Sequence, residues 1–158
     1  MGKLTGTKHG DAANGLLAFY EDESSKLETA GSYFMAALAL GFALEAALLT
    51  YLLVEWGEDN GPELKIPDSV AFSELIEAAK TLDLFSAPAE VPPELVGDVE
   101  APKHLAKDVV DTIRRFRNLI HPARALKESF DPTSFTPEQL QEFKDKYRSV
   151  TYSLLYNL

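Results

Sequence analysis

The segment YFMAALALGFALEAALLTYLLV, Tyr33–Val54, is apolar for twenty-two residues apart from Glu45 and Thr50. A stretch this long must be a helix sheathed by lipid or a helix sheathed by the rest of the chain. Three observations favour the second. Glu45 lies near the middle, where a charge costs about 2.5–3.5 kcal/mol even on permissive insertion scales. The flanks are acidic, EDE before and EWGED after, and provide no positive anchor. Six of the twenty-two residues are alanine, which suits close helix–helix approach. The segment is therefore predicted to be the buried central helix of a bundle, with no membrane association.

The other elements group around it. FSELIEAAKTLDLF places Leu75, Ile76, Ala79 and Leu82 on one face of a helix. A helix starting near Pro102 carries Leu105, Val109, Ile113, Phe116 and Ile120 at spacings of four, four, three and four, and should stop near His121 because Pro122 follows. The last helix has Thr136 as N-cap, Pro137 in the first turn and Gln139 closing a capping box, with Leu140, Phe143, Tyr147, Val150 and Leu154 as its stripe. Loops are expected at GEDNGPELKIPDS, at the four-proline stretch SAPAEVPPELVGDVEAP, and at ALKESFDPTSF. Residues 1–10 read as a tail. Residues 11–25 read as an arm or a short helix docking Leu16, Leu17 and Phe19. No strand pattern and no internal repeat is present. The expectation is an all-α chain, an up-and-down four-helix bundle over residues 26–158 preceded by a tail or arm over 1–25.

At 158 residues the chain suits one domain that buries its core without disulfides. It has no cysteine, which excludes thiol catalysis and thiolate metal sites and fits a reducing, cytoplasmic setting. The polar start MGKLTGTKHG contains no apolar run for secretion, and Gly6 stands where a myristoylation pattern needs Ser or Thr.

The net charge of −10 argues against general nucleic-acid binding. The charge is unevenly spread. From Lys103 to Lys127 there are seven cations (Lys103, Lys107, Arg114, Arg115, Arg117, Arg124, Lys127) against Asp108 and Asp111, a local net of +5 that leaves −15 elsewhere. The core of this window is RRFRNLIHPAR. On a continuous helix Arg114, Arg117 and His121 share a stripe beside the apolar face, Asn118 lies just beyond it, and Arg115 points away toward Asp111 at i, i+4. Arginine clamps phosphate oxygens, and histidine moves protons near neutral pH. Cleavage of RNA by its own 2′-hydroxyl needs those two functions and no metal. His9, His104 and His121 have no metal-ligand spacing, and no cofactor is expected. Basic residues in a last helical turn are also favoured by the helix dipole alone, and a helical partner-binding protein with a basic helix end is an alternative.

RNLIHP, residues 117–122, resembles the motif region of HEPN domains, the all-α nucleotide-binding and ribonuclease superfamily of prokaryotic toxin–antitoxin and defence systems. ALGFALEAALLTYLL resembles the family's long core helix with its internal glutamate, and FSELIEAAKTLDL resembles the helix before the motif. Together these cover roughly residues 30–125. The resemblance implies a dimer whose motif helices meet across a two-fold axis. It implies a metal-independent endoribonuclease in which Arg114, Arg117, Asn118 and His121 form the site, Glu45 supports Arg117, and Arg124 and Lys127 contact RNA. It also implies a cognate antitoxin as partner. The alternative within the same resemblance is a non-catalytic dimeric module that binds a nucleotide, RNA or a protein. The family pattern usually sets four to six residues between Arg and His. Arg117 and His121 have three between them, whereas Arg114 and His121 have six. Either Arg114 takes the catalytic role, or the chain belongs to an RNxxHP branch.

Overall fold

A computed structural model describes residues 2–56, 65–85 and 106–156. The described chain is mostly helical. Its α-helices are α1 (Gly6–Thr29), α2 (Tyr33–Thr50), α3 (Phe72–Thr81), α4 (Ala106–Arg117), α5 (Pro122–Lys127) and α6 (Pro137–Tyr156). A small antiparallel ribbon pairs β1 (Lys3–Thr5) with β2 (Lys65–Pro67), with Leu4 opposite Ile66. Sequence periodicity gave no sign of this ribbon, because three-residue strands are too short to show alternation. Of the loop expected over 57–69, the described part from residue 65 holds β2 instead of plain loop, and residues 57–64, the loop expected over 86–102, the helix start at Pro102 and Leu105 lie outside the described residues.

The apolar segment is the core helix. Ten residues of α2 are buried, and it continues through a π-helical turn, Tyr51–Trp56. Tyr33–Val54 is long and apolar enough to cross a membrane by length and composition, yet 67% of its most apolar window is buried inside the protein. Helices α1, α3, α4 and α6 all contact α2, and α4 also packs on α6.

The N-terminal segment corrects the sequence expectation most clearly. Residues 6–29 form one helix of 24 residues along α2, where a tail was expected over 1–10 and a short helix or arm over 11–25. Its inward stripe is Ala13, Leu17, Tyr20, Ser24 and Leu27, at spacings of four, three, four and three. Leu17 therefore packs, while Leu16 and Phe19, grouped with it on sequence, are 49% and 55% exposed. Polar contacts fix the helix in place. Ser24 donates to the Ala36 carbonyl at 2.8 Å, Tyr147 donates to Glu21 at 2.7 Å, and Lys144 pairs with Glu28 at 3.0 Å. Gly31 ends the helix with φ +80°, a conformation in which a Cβ would be strained, and the chain reverses into α2.

Helix α6 follows its expected pattern. All five stripe residues, Leu140 to Leu154, are buried. The capping box closes in both directions, with Gln139 N–H donating to Thr136 Oγ1 at 3.1 Å and Thr136 N–H donating to Gln139 Oε1 at 2.8 Å. In α3, Leu75, Ile76 and Ala79 are buried and Leu82 is half-buried just past the helix end.

Candidate functional site

Helix α4 delivers the motif, and its end determines where each motif residue goes. The α-helix stops at Arg117, and Asn118–Ile120 forms a 3-10 turn. A 3-10 turn advances about 120° per residue instead of about 100°, so the stripe rotates. Leu119 turns inward and is 8% exposed, while Ile120, expected on the core stripe, is 41% exposed. His121 then takes extended angles, φ −80° and ψ 119°, and Pro122 opens α5. Proline thus does two jobs here. It stops the first helix by excluding helical angles from His121, and it starts the next from its first position. Residues 122–127 are this second helix, which takes in 125–127, expected as the start of a loop.

Arg117 turns inward. Its guanidinium forms an ion pair with Glu45 Oε2 from the middle of α2. It also lies over two rings, Phe42 at 5.2 Å and Phe72 at 5.0 Å to the centroids. Only 15% of the Arg117 side chain and 24% of the Glu45 side chain reach solvent. The close approach depends on Gly41, where a Cβ would sit 3.0 Å from Arg117 Cγ and 3.1 Å from its Cβ. Gly41 and Glu45 are one helical turn apart, so the glycine admits the arginine stem and the glutamate meets its charge. The lone charge of the apolar helix is thereby explained, since a buried carboxylate without a partner would be costly.

Arg114 is placed differently. Its side chain is 27% exposed, and its Nε lies 3.6 Å from Asp111 Oδ1. Asp111 also accepts from Lys80 Nζ of α3 at 2.7 Å. The hydrogen bond from Lys80, with the charges of Lys80 and Arg114, holds the Asp111 carboxyl below its ordinary range, and Asp111 in turn raises the Lys80 ammonium. Asp111 was expected to pair with Arg115. It faces α3 instead, where Lys80 reaches it, and Arg115 is exposed.

Arg114, Arg117, Asn118 and Glu45 line one cleft of about 350 Å³, whose opposite wall is residues 70–73 at the start of α3. His121 is exposed at the helix break and is not part of that lining. Arg124 pairs with Glu128 at 3.1 Å along α5, and Lys127 is exposed in the last turn. Among the described residues no three His, Asp or Glu side chains converge as a metal site would require.

Sequence reasoning missed Gly41, Phe42, Phe72 and Ser73. A signal for the first was present. An isolated glycine inside a continuous helical pattern, one turn before the only charge, marks a close backbone approach. Phe72 and Ser73 carried no such mark, because their role depends on how α3 docks. Comparison with known proteins gives no match to this chain among family models, curated proteins or solved structures.

Proposed function

We propose that the chain is a HEPN-like endoribonuclease, an up-and-down four-helix bundle of α1, α2, α4 and α6 that acts as a homodimer and cleaves RNA without a metal. The observation that carries this is the division of labour between the two arginines. All of Arg114, Arg117 and Asn118 line the cleft, but Arg117 is tied to Glu45 and stacked over Phe42 and Phe72, and His121 stands exposed at the helix break. Arg114, with six residues between it and His121, then takes the phosphate-contacting role. His121 accepts the 2′-hydroxyl proton as the 2′-oxygen attacks phosphorus. The bond to the 5′-oxygen breaks, that oxygen takes up a proton, and a 2′,3′-cyclic phosphate remains. Asn118 orients the phosphate, Arg124 and Lys127 extend the basic path, and a cognate antitoxin is the expected protein partner. Ile120 and Leu126, 41% and 81% exposed on either side of His121, supply apolar surface for a two-fold contact.

One observation favours a second function, a dimeric module that binds without cleaving: the cleft takes in both arginines but not His121. RNA digestion by wild type and His121→Ala, together with the molecular mass in solution, separates the two. Cleavage by a dimer, lost by at least a hundredfold in His121→Ala and in Arg114→Ala, is the expected result. Equal behaviour of wild type and His121→Ala removes the ribonuclease and leaves the binding module. A monomer in solution removes both.

A further inference from the structure

We propose that the groove walled by α1, α2 and α6 binds an aliphatic diamine or polyamine, with its end ammonium groups on Asp11 and Glu21 and its hydrocarbon chain laid between them. No residue of the groove belongs to the ribonuclease function, so the two proposals fail independently. The groove encloses about 380 Å³, within the range of small-molecule sites. Its existence follows from side-chain size. At Gly10 the first two helices meet, and a Cβ there would collide with Val54 Cγ2. Beyond that contact α2 presents Ala47 and Thr50, side chains too small to fill the space they share with Asn14 and Leu17 of α1.

The polar lining is dominated by hydrogen-bond acceptors. Asp11 and Glu21 are the charged groups of the lining, a net of −2, and among the described residues no cation lines the groove. Tyr147 donates to Glu21 Oε1, which holds that carboxylate in place and leaves Oε2 for a ligand. The two threonine hydroxyls have spent their hydrogens on carbonyls one turn back in their own helices. Thr50 Oγ1 donates to the Ala46 carbonyl at 2.8 Å, and Thr151 Oγ1 donates to the Tyr147 carbonyl at 3.0 Å. Each hydroxyl therefore offers a ligand only lone pairs. An ammonium group, positive and purely a donor, is the complement of such a lining. Leu17, Ala47 and Leu154 supply hydrocarbon for a methylene chain. Tyr51 adds its ring where α2 passes into the π-helical turn, a form frequent at functional sites.

Spacing selects two cationic groups over one. Asp11 and Glu21 are ten residues apart on α1, a rise of about 15 Å. A charged hydrogen bond of about 2.8 Å at each end leaves about 9 Å between the two nitrogens. A single ammonium cannot reach both carboxylates, and a metal ion cannot join them. A long diamine, or a triamine of similar length, spans the gap in extended form.

Calorimetric titration of the full chain tests this with 1,7-diaminoheptane, spermidine, heptylamine, 1,7-heptanediol and 1,3-diaminopropane. The long diamine and spermidine are expected to bind at least tenfold more tightly than heptylamine, which satisfies one carboxylate, and than 1,3-diaminopropane, which cannot span the two. The diol is expected not to bind. Asp11→Asn and Glu21→Gln should each weaken the long diamine at least tenfold and erase its advantage over heptylamine. Both carboxylates are exposed, and a glutamine at position 21 can still accept from Tyr147, so the melting temperature should hold. Ala47→Leu, which fills the middle of the groove, should also weaken the diamine at least tenfold. Glu138→Gln removes an exposed carboxylate outside the groove and should change nothing. Absence of diamine binding overturns the proposal, as does equal binding of the long diamine and heptylamine. So does a loss in Glu138→Gln as large as that in Asp11→Asn, which would mean general attraction to a chain of net charge −10.

Discussion

Removing Glu45 tests the anchoring of the motif helix. Truncating one partner of a well-buried ion pair costs about 3–5 kcal/mol, because the other charge is left without compensation. Two features reduce that here. Arg117 and Glu45 keep 15% and 24% of their side chains in solvent, and Phe42 and Phe72 still face the guanidinium. Glu45→Ala should therefore cost about 2–3 kcal/mol. In a chain of this size each kcal/mol moves the melting midpoint by about 2–4 °C, so the fall should be about 4–12 °C. Arg117→Ala also forfeits the stem packing against α2 and both ring contacts, for about 3–4 kcal/mol. The double variant should fall short of the sum by about 2 kcal/mol, since the second truncation removes a charge already stranded by the first. Replacing both by methionine should return to within about 1 kcal/mol of wild type, because apolar side chains of similar length bring no desolvation cost. Urea unfolding of wild type and the four variants measures all of this. A cost for Glu45→Ala below about 0.5 kcal/mol, with no coupling in the cycle, would mean that the pair is a surface contact and that the anchoring argument is wrong.

Gly41→Ala tests the seat of that arginine. Alanine in a helix gains about 1 kcal/mol over glycine, while overpacking costs about 1–3 kcal/mol. The Arg117 stem cannot withdraw from a Cβ 3.0 Å away while its end is held by two rings and a carboxylate, so unfolding measurements should show a net loss of about 1 kcal/mol. The loss should shrink in an Arg117→Ala background. Tyr147→Phe probes the seam between α1 and α6. It removes the bond to Glu21, and because that carboxylate is exposed the cost should be about 1 kcal/mol at neutral pH. Burial, and then Glu21, raise the Tyr147 hydroxyl pKa, so the neutral phenol is the folded form. Its contribution is complete below the unfolded value, about 10, and declines as pH rises beyond it. Stability measured from pH 8 to 11 should fall less steeply for the phenylalanine variant.

The central helix was legible because twenty-two apolar residues leave so few options, and the last helix because its stripe and its capping box agree. The first helix was not. Its surface carries Asp11, Glu21, Asp22, Glu23 and Lys26, and its inward positions are mostly small or amphipathic, such as Ala13, Tyr20 and Ser24. Its stability comes from lying along α2, which no window of its own sequence reports. The pairing of Asp111 with Lys80 was illegible for a similar reason. An i, i+4 partner was available on the same helix, and only the docking of α3 shows that a residue 31 positions earlier reaches the carboxylate.

The motif itself shows why spacing in a sequence differs from spacing in space. With α-helical geometry continued to His121, Arg117 and His121 would be adjacent, and three intervening residues would make an unusually tight pair. The helix instead ends at Arg117, tightens through Asn118–Ile120 and leaves helical angles at His121. That rotation has a cause at each end. Pro122 forbids helical angles at His121, and the Glu45 contact holds Arg117 against α2, so the intervening turn absorbs the mismatch. It exposes Ile120 and buries Leu119 as a consequence. The Glu45 contact also bears on the two arginines. Arg117 is held by Glu45 and over Phe42 and Phe72, so under the proposed ribonuclease function Arg114 is the arginine expected to meet phosphate. If Glu45→Ala left stability unchanged, Arg117 would not be held as described and the proposed order of roles would reverse.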